Sequence, residues 1–109
     1  MAKGDYLAEF EIYVMLAVLR LGNEAYGVTI RREIEERAGR PVSIGAVYAT
    51  LGRLEEKGLV GFRVSDPQPV KGGRSRKLVS LTPTGRSALD HSTAMLQRMM
   101  QGTSIAQEG

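Results

Sequence analysis

Two groups of residues in this chain are of types that could do chemistry, and the chemistry is contact with a polyanion. The first is Ser43, Gly45, Ala46, Tyr48, Ala49, Thr50 and Arg53, which fall on one predicted helix. The second is Lys71, Gly73, Arg74, Ser75 and Arg76, which fall in a loop shortly after it. Arginine and lysine pair with phosphate oxygens, while glycine and alanine let a backbone come close to a surface. Catalytic groupings are missing by comparison. His91 is the only histidine, there is no cysteine, and no nucleophile elbow, phosphate loop or metal-ligand spacing occurs. An enzyme, a metal site and a cofactor are therefore not expected, and His91 reads as a surface position.

The helix that carries the first group is well delimited. Ser43 is a good N-cap, because its hydroxyl can accept from an unpaired amide of the first turn. Ile44, Val47, Leu51 and Leu54 recur at helical period and make one apolar stripe. Gly58 stands where a left-handed cap would end the helix, and Leu59 could fold back onto it. The opposite face is bare: Gly45, Ala46, Ala49 and Gly52, with Thr50 and Arg53 as its polar groups. Each mid-helix glycine costs about 1 kcal/mol against alanine, a cost that a plain solvated face need not bear. Close approach to a groove and a small-residue contact with another helix fit this helix equally well. Tyr48 has two readings as well, a hydroxyl reaching a phosphate or a core tyrosine satisfied inside.

The charge distribution favours the groove. Residues 1–56 carry seven basic and nine acidic side chains, whereas residues 57–86 carry seven basic ones (Lys57, Arg63, Lys71, Arg74, Arg76, Lys77, Arg86) against Asp66 alone. The net charge of +3 therefore hides a local footprint of +6 that is partly offset elsewhere. At 109 residues the chain predicts one domain with a modest core, for which a second copy is a natural complement. No apolar run of membrane-spanning length and no signal segment is present, which predicts a soluble, cytoplasmic protein.

The elements that must position these groups follow in order. Residues 7–21 are apolar around most of the circumference and predict a largely buried first helix; Gly22-Asn23 ends it. Residues 25–38 predict a second helix with Tyr26, Ile30 and Ile34 inward and a mixed-charge outer face. Gly39-Arg40-Pro41 breaks the chain before Ser43. After Gly58 the period becomes two: Val60, Phe62 and Val64 alternate inward, and Lys77, Val79 and Leu81 repeat this after the gap. The segment between them, with two prolines and Gly72-Gly73, predicts a protruding hairpin tip. Pro83 sits near the first position of a last helix running to about residue 101. Its Ala88, Leu89, Ser92, Met95, Leu96, Met99 and Met100 follow a spacing near a heptad seam.

Helix, helix, helix, strand, basic loop, strand, helix is the order of a winged helix-turn-helix, a mainly α (α+β) fold with a two-stranded wing. Its third helix would enter a major groove, with Thr50 and Arg53 as the polar contacts and Gly45, Ala46 and Ala49 offering only close approach. Lys71, Arg74 and Arg76 would hold phosphates. The rival from another class is a winged-helix protein-interaction module without DNA, which has little reason to concentrate +6 in residues 57–86.

The residues also resemble a family. Tyr26-Gly27-Val28-Thr29-Ile30, the run from Ser43 to Val60 with its Tyr-x-x-Leu-x-x-Leu-Glu-x-x-Gly-Leu core, Gly73-Arg74-Ser75-Arg76-Lys77 and Leu81-Thr82-Pro83-Thr84-Gly85-Arg86 are similar to the PadR family of transcriptional regulators. The resemblance covers roughly residues 8–90 and looks like the compact branch with a short C-terminal helix. It implies a winged helix-turn-helix domain over residues 7–82 and a C-terminal dimerisation helix over 83–101, after which residues 102–109 read as a flexible tail. It further implies a homodimeric repressor on double-stranded DNA with a palindromic operator, and often a small hydrophobic effector. Leu7 and Phe10, with the seam residues of the last helix, would form the dimer interface. The chain departs from the family pattern at Val79, where an aromatic residue is expected, and it has no Trp. An aromatic-walled ligand pocket is therefore not carried over.

Overall fold

The computed structural model describes residues 6–65 and 76–106. Four helices and a two-stranded antiparallel sheet occupy them: α1 (Glu9–Leu21), α2 (Gly27–Ala38), α3 (Ile44–Glu56), β1 (Val60–Val64), β2 (Lys77–Leu81) and α4 (Pro83–Met100). Short 3₁₀ turns lie at Gly22–Glu24 and Ser104–Ala106. The core is one cluster beneath all of these elements. Val14, Met15, Ala17 and Val18 of α1 meet Ile30 and Ile34 of α2, Val47, Leu51 and Leu54 of α3, Val60 and Val79 of the sheet, and Leu89 of α4.

Two helix starts differ from expectation, each for a local reason. α1 begins at Glu9, not at residue 7, because the Ala8 amide donates to the Glu11 carboxylate at 2.9 Å and so closes the first turn there. α2 begins at Gly27, not at residue 25. Ala25 is extended, and its carbonyl accepts from the Val79 amide at 2.9 Å, a single backbone bond that draws it alongside β2. The Tyr26 amide then donates to Thr29 Oγ1 at 3.0 Å and opens the helix.

α1 is also less buried than its composition suggests. Leu16 and Leu19 are exposed, and with Tyr13 and Ile34 they line an open groove of about 630 Å³ between α1 and α2. Across it Glu33 accepts from Arg20 at 3.1 Å and pairs with Arg37, whose hydrogen bond holds the Glu33 carboxyl below the usual carboxylate range.

α3 is capped at both ends. Ser43 Oγ accepts from the Ala46 amide at 3.0 Å. At the other end Gly58 takes φ +76°, the Gly58 amide donates to the Glu55 carbonyl, and the Leu59 amide donates to the Leu54 carbonyl. This pair of bonds is the Schellman arrangement, which turns the chain directly into β1. The wing strands pair from Val60↔Leu81 to Val64↔Lys77. Their alternation is weaker than expected: Val64 is exposed, and Leu78 is buried alongside Val79. The outermost pair, Val64↔Lys77, stands clear of the core, whereas Leu78 one pair further in is still covered. Thr82 caps α4, accepting from the Gly85 amide at 2.9 Å, and Pro83 takes the first helical position. Gly85 itself is buried, and a Cβ there would meet the Leu59 carbonyl carbon at 2.8 Å. The start of α4 is thus pressed against the chain between α3 and β1.

Candidate nucleic-acid interface

The outward line of α3 is bare. With successive residues 100° apart on a helix, Gly45, Ala49 and Gly52 form a ridge opposite Val47, Leu51 and Leu54, and Ala46 lies beside it. All four small residues are exposed, and no atom of the described residues stands within 4 Å of where a Cβ of Gly45 or Gly52 would be. Among the described residues, no small-residue helix contact is made by this face. Ser43 is also exposed, with its hydroxyl used as the cap. α3 is about 20 Å long at 1.5 Å per residue, and a B-DNA major groove is about 12 Å wide, so the ridge can enter one end-on or lengthwise.

Two polar residues flank this ridge on opposite edges. On one side stands Arg53. Its guanidinium donates to Thr50 Oγ1 at 2.9 Å, and Thr50 itself is only 1% exposed. Thr50 is therefore not an outward contact, as expected above. It falls within 60° of Val47 and so belongs to the inner face, where its hydroxyl holds the exposed arginine. Ile44, expected in the inner stripe, is exposed instead, because the helix starts there before the chain reaches the core. On the other edge is Tyr48, 54% exposed, which removes the core reading. Its ring lies over Gly27 at the first turn of α2, so close that a Cβ on Gly27 would come within 2.5 Å of Cζ.

The wing contributes Arg76 within the described residues. Its amide donates to Ser65 Oγ at 2.8 Å, and its guanidinium lies 5.0 Å from the centre of the Tyr26 ring. Lys71, Gly73, Arg74 and Ser75 lie outside the described residues. Lys77, opposite Val64 at the outer end of the wing strands, is exposed with its ammonium 4.4 Å over the Phe62 ring.

Some supporting groups carried no sequence signal that singled them out. Glu11 is 4% exposed; it accepts from Ala8 and from Lys57 Nζ at 3.0 Å, tying the first turn of α1 to the end of α3. Glu35 accepts from the Val42 amide at 3.0 Å and from Arg31, which fixes the turn between α2 and α3. Arg40 in that turn lies over both the Phe10 and Tyr13 rings. Only pairing across elements reveals these roles. Of the expected dimer contacts, Leu89 and Ser92 are covered by the chain's own core, Leu7, Phe10, Ala88, Met95 and Met100 are half-buried, and Leu96 and Met99 are exposed, Met99 at 78%. The three-residue pattern of metal-ligating side chains is absent among the described residues, and no helix there is long and apolar enough to cross a membrane.

Three helices, a hairpin wing and a capped, bare third helix define a winged helix-turn-helix. Residues 15–91 match the model of the Transcriptional regulator PadR-like family, and the chain belongs to that family. It is a transcriptional regulator rather than an enzyme. Over 77 residues it is 40% identical to transcriptional regulator Rv3488 of Mycobacterium tuberculosis, covering 71% of this chain and 67% of that protein. It is similar in structure to a PadR family transcription regulator from Clostridium difficile R20291, with 27% identity, a TM-score of 0.63, and coverage of 82% of this chain and 93% of that one. It also shares its fold with Bacillus subtilis PadR in complex with operator DNA, with 24% identity, a TM-score of 0.60, and coverage of 76% and 47%.

Proposed function

We propose that the protein is a sequence-specific DNA-binding regulator, acting as a homodimeric repressor on a palindromic operator in the cytoplasm. The observation that carries the reading is the exposed ridge of Gly45, Ala49 and Gly52, flanked by Tyr48 and Arg53 and followed by the basic wing. Such a surface offers base edges little besides contact with thymine methyls and one arginine. Most of the affinity then comes from phosphates, with Arg53, Tyr48, Lys71, Arg74 and Arg76 as the contacts and Gly73 and Ser75 letting the wing come close. The fold shared with a PadR bound to operator DNA supports the same reading.

Dimerisation supplies a second α3 about one helical turn of DNA away. It is supported by the unpartnered apolar end of α4, Leu96 and Met99 with Met95 and Met100 at its sides, together with Leu7 and Phe10. Three methionines there make an adaptable surface, the place for a small hydrophobic effector to act.

The test is fluorescence anisotropy of a labelled duplex over a range of salt. Several phosphate contacts predict a log–log slope of about −0.9 for each. A flat profile would end the DNA reading and leave the protein-interaction module.

A further inference from the structure

We infer that Gly27 is a positioning residue for DNA binding: its missing side chain is the seat that holds Tyr48 at the edge of the α3 ridge. The inference rests on the DNA reading above and adds to it a residue on a different helix. Gly27 is buried, and its φ lies outside the left-handed region, so the backbone does not require glycine there. Glycine is also a poor helix former at the start of α2. The space a Cβ would take is filled by the Tyr48 phenol, whose hydroxyl, Cζ and Cε1 are its three nearest atoms, so glycine lets the ring sit there and a larger residue would turn it away.

The consequence concerns Tyr48. Among the described residues its hydroxyl has no hydrogen-bond partner, and the residue remains more than half exposed although the end of its ring lies on Gly27. A free tyrosine would sample several rotamers, and binding would have to select one of them. Against Gly27 the ring is confined before the duplex arrives, which lowers the ordering cost of a hydroxyl–phosphate contact. Arg53 is handled in the same way on the opposite edge, by the Thr50 hydroxyl. Both polar flanks of the bare ridge are thus preset by groups that need not touch DNA.

A double-mutant cycle tests this with a fluorescein-labelled mixed-sequence duplex at low salt, because a phosphate contact acts on all sequences alike. Gly27→Ala should weaken binding about fivefold, the worth of an ordinary hydrogen bond. Tyr48→Ala should weaken it at least as much, and Gly27→Ala/Tyr48→Ala should bind no worse than Tyr48→Ala alone. Thermal melting of the same proteins separates folding from binding: the double variant should melt with Tyr48→Ala, since removing the ring frees the space. If Gly27→Ala does not fold, recovery of folding in the double variant supports the steric link, and no recovery overturns it. Losses that multiply in the double variant, or Gly27→Ala binding as wild type, overturn the inference while leaving the DNA reading intact. Tyr48→Ala binding as wild type removes the contact being positioned. A wild-type protein without salt-sensitive binding removes both.

Discussion

Thr50 and Gly85 show how far a single side chain is decided by its surroundings. Thr50 lies inside with its hydroxyl on Arg53. Replacing it with valine keeps the volume but removes the hydroxyl that accepts from Arg53, so stability should fall by about 0.5–1.5 kcal/mol, the net worth of one hydrogen bond. Arg53 would lose its anchor, and duplex affinity should fall several-fold in an anisotropy titration. Equal affinity would show that Arg53 needs no anchoring. Gly85 faces the Leu59 backbone, which cannot step aside as a flexible side-chain end could. Gly85→Ala should cost about 1–3 kcal/mol, seen as a melting temperature lower by roughly 4–8 °C per kcal/mol.

Among the elements, α3 is held at its far end by an ion pair that spans the domain. Lys57 reaches the nearly buried Glu11 carboxylate at 3.0 Å. Lys57→Met would leave that carboxylate with the Ala8 amide as its remaining partner, at a cost of about 1–3 kcal/mol. Lys57 is about one-third exposed, so water can replace part of the lost bond and the low end is expected by thermal melting. The wing works differently. Arg74→Ala with Arg76→Ala should weaken binding to all duplexes by a similar factor and flatten the salt slope by about 2. Arg76 rests on Tyr26 in the free protein, so the affinity lost with it includes a residue already positioned, and unchanged binding would remove the wing from the interface.

At the scale of the whole molecule, one protomer presents a single α3 and leaves Leu96 and Met99 in water. A two-fold dimer through α4 would cover these side chains and double the DNA contacts. Leu96→Asp with Met99→Asp should therefore shift sedimentation from dimer to monomer and reduce operator affinity, while the domain stays folded because neither residue belongs to its core. A variant that remains dimeric would place the interface elsewhere, with the exposed Leu16–Leu19 groove of α1 the next surface to alter.

The order of elements, both caps of α3, the left-handed Gly58 and the bare ridge follow from short-range chemistry, and all of these except the order were legible from Ser43 to Leu59 alone. Local hydrogen bonds and a 3.6-residue period decide such features within a few residues. The family resemblance was legible for the same reason, in contiguous motifs. The tertiary structure alone decided that Thr50 turns inward, that Ala25 leaves the second helix to join β2, that Leu16 and Leu19 stay in water, and that Tyr48 leans on Gly27. Each of these depends on an atom from a distant part of the chain occupying, or failing to occupy, one small volume, and periodicity holds no information about which volume that is.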